Sequence, residues 1–197
     1  MKPNYQNTST YIFSALAALS LVACSGPQVR YGDAKAVETV GVNYGSTDLQ
    51  AIGESMARSL LQSKAISGSK DAPIVTVAEV KNKTSEYIDT RVITDKIRTQ
   101  LVKSGQVKFA VNINEMQNQV DELKRQNQSG LYKNNTVSKT GNMQGAKYRI
   151  EGSISSIIKQ NKNVKDVFYI FNLNLINNES GLIEWADEKE IRKIATR

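Results

Sequence analysis

Apolar residues recur along this chain with two different periods, and the change from one to the other divides the chain. In three segments between residues 49 and 123 they lie three and four positions apart, which is the spacing of an amphipathic helix. These positions are Leu49, Ile52, Met56 and Leu60, then Ile93, Ile97 and Leu101, then Met116, Val120 and Leu123. From Lys147 onward, apolar and polar residues alternate, as in half-buried strands. The pattern therefore predicts helices first and a strand-rich region last.

Polar residues at the ends of the helical segments predict where each helix begins and ends. The first helix should end near Ser67–Gly68 and the second at Gly105, because glycine accepts the backbone conformation that ends a helix. The predicted N-terminal caps are Thr47 with Gln50 in a capping box, then Asp89 or Thr90, then Asn114 with Ile113 as a hydrophobic staple.

Five segments of β-branched or alternating residues predict the strands of one sheet. They span residues 74–80, 107–111, 147–158, 167–176 and 182–194. Helices separate the first strands, whereas short turns at 161–163 and 177–181 join the last three. Val167, Tyr169, Phe171, Leu173 and Leu175 should form a core face, with Asn172 and Asn174 opposite. We expect an α/β fold: a mixed sheet of about five strands, flanked by three or four α-helices, with a C-terminal antiparallel meander.

The first 24 residues carry the features of an export signal. An apolar run from Tyr11 to Ala23 is too short to span a bilayer, since a transmembrane helix needs about 20 apolar residues. Leu-Val-Ala-Cys, residues 21–24, resembles the lipobox of bacterial lipoproteins. This resemblance implies cleavage between Ala23 and Cys24, acylation of Cys24, and, with Ser25 next, an outer-membrane anchor facing the periplasm.

These features divide the chain into three parts. Residues 1–23 are the predicted lipoprotein signal peptide, residues 24–46 a lipid anchor with a flexible tether, and residues 47–197 a globular periplasmic α/β domain. The tether is predicted because 24–46 is polar, contains glycines and Pro27, and lacks a sustained period. The alternative is that Val37, Val40 and Val42 add an edge strand to the domain.

Composition restricts the chemistry of this protein. The single cysteine excludes an internal disulfide, and the chain has no histidine, the commonest general base and metal ligand. Its net charge of +7 becomes +6 once Lys2 is removed, and its basic residues are scattered among acidic ones, which argues against a nucleic-acid partner. Nothing in the sequence brings Glu54 and Glu151 together as a glycosidase pair. We expect no catalytic residue, metal or cofactor.

Four stretches of the domain resemble the LpoB family of outer-membrane lipoproteins, which activate bifunctional penicillin-binding proteins. They are Glu79–Ser85, Lys103–Phe109, Gly145–Tyr148 and Ser180–Trp185, within a resemblance over residues 46–195. It implies a regulator, not an enzyme, that binds an accessory domain of a peptidoglycan synthase and stimulates it. The tether is shorter and poorer in proline than in well-known members. Ile150–Ile154 also resembles the curli secretion lipoproteins, so the alternative is an assembly lipoprotein of the envelope that acts on no synthase.

Two groups of residues are candidates for partner binding. Asn82, Lys83 and Thr84 form either a contact loop or only a turn, because Asn and Thr side chains favour both. Tyr132 and Lys133, near Lys139, either supply an aromatic anchor with basic neighbours or belong to a mobile loop over residues 126–145. Trp185 is either an interface residue or a core plug. Besides the synthase, peptidoglycan is a further candidate partner.

Overall fold

A computed structural model describes residues 29–112 and 115–197 of the chain. It divides the chain into Met1–Ala34 and a second compact unit, Lys35–Arg197, to which the following description applies. The predicted signal peptide, its cleavage site at Ala23 and Cys24, and the Asn114 cap with the Ile113 staple all lie outside the described residues.

One mixed sheet and four helices make up the described part of the second unit. In chain order they are α1 (Ser46–Gln62), α2 (Lys64–Ser67), β1 (Ile74–Asn82), α3 (Thr90–Lys103), β2 (Lys108–Phe109), α4 (Met116–Gln128), β3 (Tyr148–Gln160), β4 (Val164–Asn177) and β5 (Ile183–Thr196). The strand order is β2-β1-β3-β4-β5. β1 is parallel to β2 and β3, whereas β3, β4 and β5 are antiparallel. The predicted α/β fold with a C-terminal meander is confirmed.

The core lies where helices α1 and α3 meet the sheet. All five predicted core residues of β4, from Val167 to Leu175, are at most 1% exposed. They join Ile52, Met56 and Leu60 of α1 and Ile93, Ile97 and Leu101 of α3 in one hydrophobic cluster. Each such large side chain contributes roughly 1.5–3 kcal/mol to folding when it is fully buried. The helical and strand periods in the sequence were therefore assigned to the correct faces.

The N-terminus of α1 differs from the predicted capping box. The helix begins after Gly45, whose amide donates to Asp48 Oδ2 at 2.9 Å. Glu38 Oε2 accepts the amide of Ser46 at 2.8 Å, and the Glu38 amide donates to Thr47 Oγ1 at 2.7 Å. The prediction that Thr47 and Gln50 form the cap was wrong, because a carboxylate from outside the helix takes that role.

Two further element boundaries differ from the prediction. α1 stops at Gln62, because Ser63 is extended (φ −62°, ψ 147°), and the short α2 follows before Gly68. β2 contains only two residues, and Val111, which was assigned to it, is 44% exposed. At α3 the predictions hold: the Asp89 side chain accepts the Arg91 amide, and Gly105 has a φ of 71°.

The chain already contacts the domain before residue 47, where we expected the domain to begin. Glu38 is bonded to the start of α1, and the buried Val42 accepts a hydrogen bond from Tyr169 Oη at 3.3 Å. No strand lies within residues 29–45, so the alternative of an edge strand here was wrong. Val37 and Val40 are exposed.

Candidate docking loop and groove

The loop from Asn82 to Asp89 connects β1 to α3 and is closed by its own side chains. Asn82 Nδ2 donates to the Glu86 carbonyl at 2.8 Å, and Asn82 Oδ1 accepts the Thr84 amide at 2.9 Å. Thr84 Oγ1 accepts the Glu86 amide at 3.1 Å. Asn82 and Thr84 thus make a turn, as the second of the two sequence-based interpretations has it. Lys83 is bonded through its amide to Ile154 of β3 and leaves its side chain exposed.

Glu86 fixes this loop to the rest of the domain through both of its carboxylate oxygens. Its Oε1 accepts a hydrogen bond from Tyr169 Oη at 2.6 Å, and its Oε2 accepts the Tyr44 amide at 2.9 Å. Burial, and then the Glu86 carboxylate, raise the pKa of the Tyr169 phenol above its ordinary value, so the phenol remains a donor. Ile88 is buried in the core on the other side of the loop. The loop is therefore held at Glu86 and at Ile88.

Between these two fixed residues, Tyr87 projects into solvent. It is 95% exposed, whereas its neighbour Ile88 is 7% exposed. An exposed aromatic ring on a fixed backbone loses little conformational entropy on binding, and tyrosine is enriched among the residues that dominate interface energy. Sequence analysis missed Tyr87. Glu86 and Ile88 point inward, and Tyr87 between them points outward. This alternation would have revealed Tyr87 from the sequence only if the loop had been predicted to be extended.

A shallow groove of about 1050 Å³ begins beside Tyr87. Residues Thr76–Val80 of β1 line it, together with the exposed side of α3 from Thr90 to Arg98. Charged side chains of both signs are prominent in its lining: Arg91, Arg98, Arg149, Glu79, Asp89, Asp95 and Glu115. Small-molecule sites are mostly apolar. A shallow groove with charged side chains of both signs, next to an exposed tyrosine, is instead suited to a protein surface.

The second predicted group lies on a different part of the fold. Tyr132 contacts Arg125 of α4, whose guanidinium lies 5.0 Å from the centre of the tyrosine ring and whose Nη1 donates to the phenol oxygen. Lys133 is exposed. Among the described residues, no hydrogen bond or ion pair joins this group to Asn82, Lys83 or Thr84. The two predicted groups therefore belong to different elements of the fold, the loop after β1 and the segment after α4.

The remaining candidates contribute to the structure. Trp185 of β5 is half-buried against the core and donates from Nε1 to Ser59 Oγ at 3.3 Å, in agreement with the core-plug interpretation. Glu151 forms an ion pair with Arg149 at 3.4 Å, and Glu54 is exposed on α1. Within residues 29–112 and 115–197, no three histidine, cysteine or acidic residues are grouped so as to hold a metal ion. Nor does any helix of that part have the length and apolarity needed to cross a bilayer.

By its fold, the protein belongs to the class of α/β domains with a mixed five-stranded sheet that ends in an antiparallel meander. Within that class, a protein-family model described as "Peptidoglycan-synthase activator LpoB" matches residues 48–191. This match covers most of the chain, so the protein belongs to the LpoB family. The family description is that of a regulator of a synthase.

The solved structures that match this chain include two LpoB domains and another lipoprotein. The LpoB C-terminal domain from Escherichia coli is 18% identical, with 74% of this chain and 98% of that chain covered and a TM-score of 0.42. The Salmonella enterica domain is 17% identical, with 73% and 97% covered and a TM-score of 0.42. Lipoprotein GNA1162 from Neisseria meningitidis is 10% identical, with 62% and 84% covered and a TM-score of 0.41. No curated protein matches the chain.

Proposed function

We propose that this protein is an outer-membrane-anchored regulator that binds and stimulates a bifunctional peptidoglycan synthase, a penicillin-binding protein. The observation that carries the proposal is the family match over residues 48–191. Cys24 would carry the lipid, and the domain would face the periplasm. The chain itself would need no catalytic residue, metal or cofactor.

The contact surface in this proposal is the loop from Asn82 to Asp89 with the adjoining groove. Tyr87 would insert into the accessory domain of the synthase, and Lys83 would lie at the edge of the contact. Asn82 and Thr84 would act by holding the loop, since their side chains are engaged in the turn. This assignment replaces a direct contact through all three predicted residues with one through Tyr87 and Lys83.

Stimulation requires only that the regulator prefers the active synthase. A ligand shifts a conformational equilibrium by its difference in affinity for the two states, so tenfold activation needs about 1.4 kcal/mol of differential binding. One aromatic contact that is made only with the active state would be sufficient, because hot-spot residues contribute roughly 2 kcal/mol or more.

The anchor would set the reach of the domain. Fourteen positions separate Cys24 from Glu38, which is bonded to the start of α1. A fully extended chain spans at most about 3.3–3.6 Å per residue, so this linker would reach roughly 50 Å. This reach is shorter than that of a tether formed by all of residues 24–46. A synthase partner would therefore have to extend its accessory domain toward the outer membrane.

The test is an activity assay with the full-length protein in non-ionic detergent. It would be mixed with each bifunctional penicillin-binding protein of its host, and glycan polymerisation would be followed from a lipid-linked precursor. We expect one synthase to be stimulated at stoichiometric protein, with a saturable binding curve. Absence of binding to every synthase, together with ring-shaped assemblies in sedimentation, would contradict the proposal and support an assembly role in the envelope.

A further inference from the structure

The positive charge of this protein is concentrated in one stretch of the chain. Residues 123–150 contain six lysines and arginines and no aspartate or glutamate. The other 20 basic residues are balanced by 19 acidic ones, so this stretch supplies almost all of the net charge of +7. The earlier description of the basic residues as scattered among acidic ones therefore applies only to the rest of the chain. A local excess of one sign attracts polymers of the opposite sign.

The structure places five of these six basic residues on an arm formed by α4 and the loop after it, residues 116–147, whereas Arg149 lies in β3. The arm also contains Asp121 and Glu122, so its own net charge is +3. No residue of α4 is buried, although Met116, Val120 and Leu123 have helical apolar spacing. The prediction of a third amphipathic helix was therefore correct in type, but the helix does not enter the core. The arm leaves its basic residues available for an external partner.

The loop folds back onto the end of α4 and gathers three lysines there. Ser138 donates its amide to Gln126 Oε1 and accepts a bond from Asn127 Nδ2, both at 2.9 Å. Lys139 is therefore next to a residue bonded to the last turn of α4. Lys133 follows Tyr132, which lies on Arg125 of the same turn. Lys124 directly precedes Arg125, so each of the three lysines is adjacent in sequence to a residue that is bonded within this part of the arm.

These three lysines are available, whereas the neighbouring arginine is not. Lys124, Lys133 and Lys139 are exposed, and no described carboxylate forms an ion pair with any of them. Arg125, in contrast, donates to both oxygens of Glu122, at 2.7 and 2.6 Å. The arginine therefore helps to fold the arm, and the lysines remain for a ligand.

The other side chains of the stretch indicate the type of anionic ligand. It contains seven asparagines and glutamines, which hydrogen-bond to amides and sugar hydroxyls. Its large exposed apolar side chains are few: Leu131, Tyr132 and Met143. Anionic membranes are bound by basic residues combined with extensive apolar surface, whereas the apolar stripe of α4 is exposed only at Met116 and is half-buried at Val120 and Leu123. The composition instead fits a polymer of sugars and acidic peptides.

We propose that the arm, through Lys124, Lys133 and Lys139, binds the acidic peptide stems of cell-wall peptidoglycan. The inference rests on the proposed location of the protein in the envelope. It assigns a second surface to the protein, separate from the docking loop at Tyr87. Binding to the wall would concentrate the regulator on the polymer that its synthase extends.

The test is co-sedimentation of the full-length protein, in non-ionic detergent, with purified peptidoglycan sacculi that contain no synthase. The triple variant K124E/K133E/K139E removes the three lysines. Its matched control, K64E/K70E/K103E, reverses three exposed lysines of α2, the following loop and α3, and so changes the net charge by the same amount. We expect the arm variant to bind about tenfold more weakly, the control to bind within about twofold of wild type, and salt to weaken wild-type binding.

Three outcomes would overturn the proposal. In the first two, wild type does not sediment with the sacculi, or both variants lose binding equally. In the third, mixed micelles that contain an anionic phospholipid compete for the arm as well as soluble peptidoglycan fragments do. Circular dichroism of each variant would verify that it is folded. Because no synthase is present, failure here leaves the stimulation assay unaffected, and the two proposals can fail independently.

Discussion

The loop at Tyr87 and the arm at α4 are both exposed candidates for binding, but the fold supports them differently. The loop is eight residues long and is held by Glu86 and Ile88, whose partners belong to the core or contact it. The arm is about four times longer and is held by hydrogen bonds between side chains of α4 and the backbone of its own loop. A fixed loop suits recognition of one shape, and a loosely held basic arm suits a variable polymer. The difference connects local stability to the kind of partner.

Hydrogen exchange should give the largest difference between the two regions. α3, which follows the fixed loop, buries Ile93, Ile97 and Leu101 and should exchange only through near-global opening. α4 buries no residue and should open locally. We expect the free energies of opening to differ by at least about 3 kcal/mol, because global stability is of order 5–15 kcal/mol. Equal protection of the two helices would contradict the comparison.

Truncation of one apolar side chain in each region should give the next largest effect. Ile88→Ala should destabilise the protein by about 2–4 kcal/mol, since a large buried side chain leaves a cavity. Leu123→Ala, on the arm, should cost less than about 1 kcal/mol, since Leu123 is only partly buried. Urea unfolding of both variants measures the two values. A cost at Leu123 as large as that at Ile88 would show that the arm is part of the core.

Removal of the Glu86 carboxylate should loosen the loop and should lower the unfolding free energy by somewhat less than Ile88→Ala does. Glu86→Ala leaves the Tyr44 amide without its acceptor and leaves the Tyr169 hydroxyl with only the more distant Val42 carbonyl, at 3.3 Å. An unsatisfied buried group costs about 1–3 kcal/mol. We expect a loss of about 2 kcal/mol in unfolding free energy, with faster hydrogen exchange in residues 83–88. The control is Glu54→Ala at an exposed site of α1, which should remain within about 0.5 kcal/mol of wild type.

Acid should affect the arm through Glu122, with the smallest effect on the protein as a whole. Hydrogen bonds from Arg125, and then from Gln126, lower the pKa of Glu122 from 4.5 to about 2. Because the folded state depresses this pKa, the contribution of the contact is fully present above pH 4.5 and is lost as pH falls through about 2. NMR of the Glu122 carboxyl carbon should report a midpoint well below 4.5. In Arg125→Gln the midpoint should move up toward 4.5, and an unchanged midpoint would exclude the pair as the cause.

Regular elements were predictable from the sequence because their apolar periods are strong. β4 alternates over five core residues, and α3 has both an aspartate cap and a terminating glycine, so period and end signals agree. At α1 the Gly45–Asp48 capping box is a local pattern that the sequence analysis missed, whereas the Glu38 contact was not predictable, since Glu38 acts from eight residues before the helix begins. Sequence rules for caps consider only adjacent residues.

The candidate site was only partly predictable, for a related reason. Asn82 and Thr84 drew attention to the candidate loop, but their turn chemistry says nothing about which neighbour is exposed. Tyr87 became visible only once Glu86 was seen to contact Tyr169, a residue 83 positions away. The helical period of α4 likewise predicted a helix but not whether it would be buried, because burial depends on the elements that lie beside it.

The central claim is that the fixed loop carries synthase recognition, and one binding measurement tests it most directly. The affinity of the stimulated synthase would be measured for wild type, for Tyr87→Ala and for Tyr31→Ala, the last replacing another fully exposed tyrosine. We expect Tyr87→Ala to weaken binding about thirtyfold, close to 2 kcal/mol, with unfolding free energy unchanged, and Tyr31→Ala to have less than about a twofold effect. Wild-type affinity in Tyr87→Ala would contradict the claim.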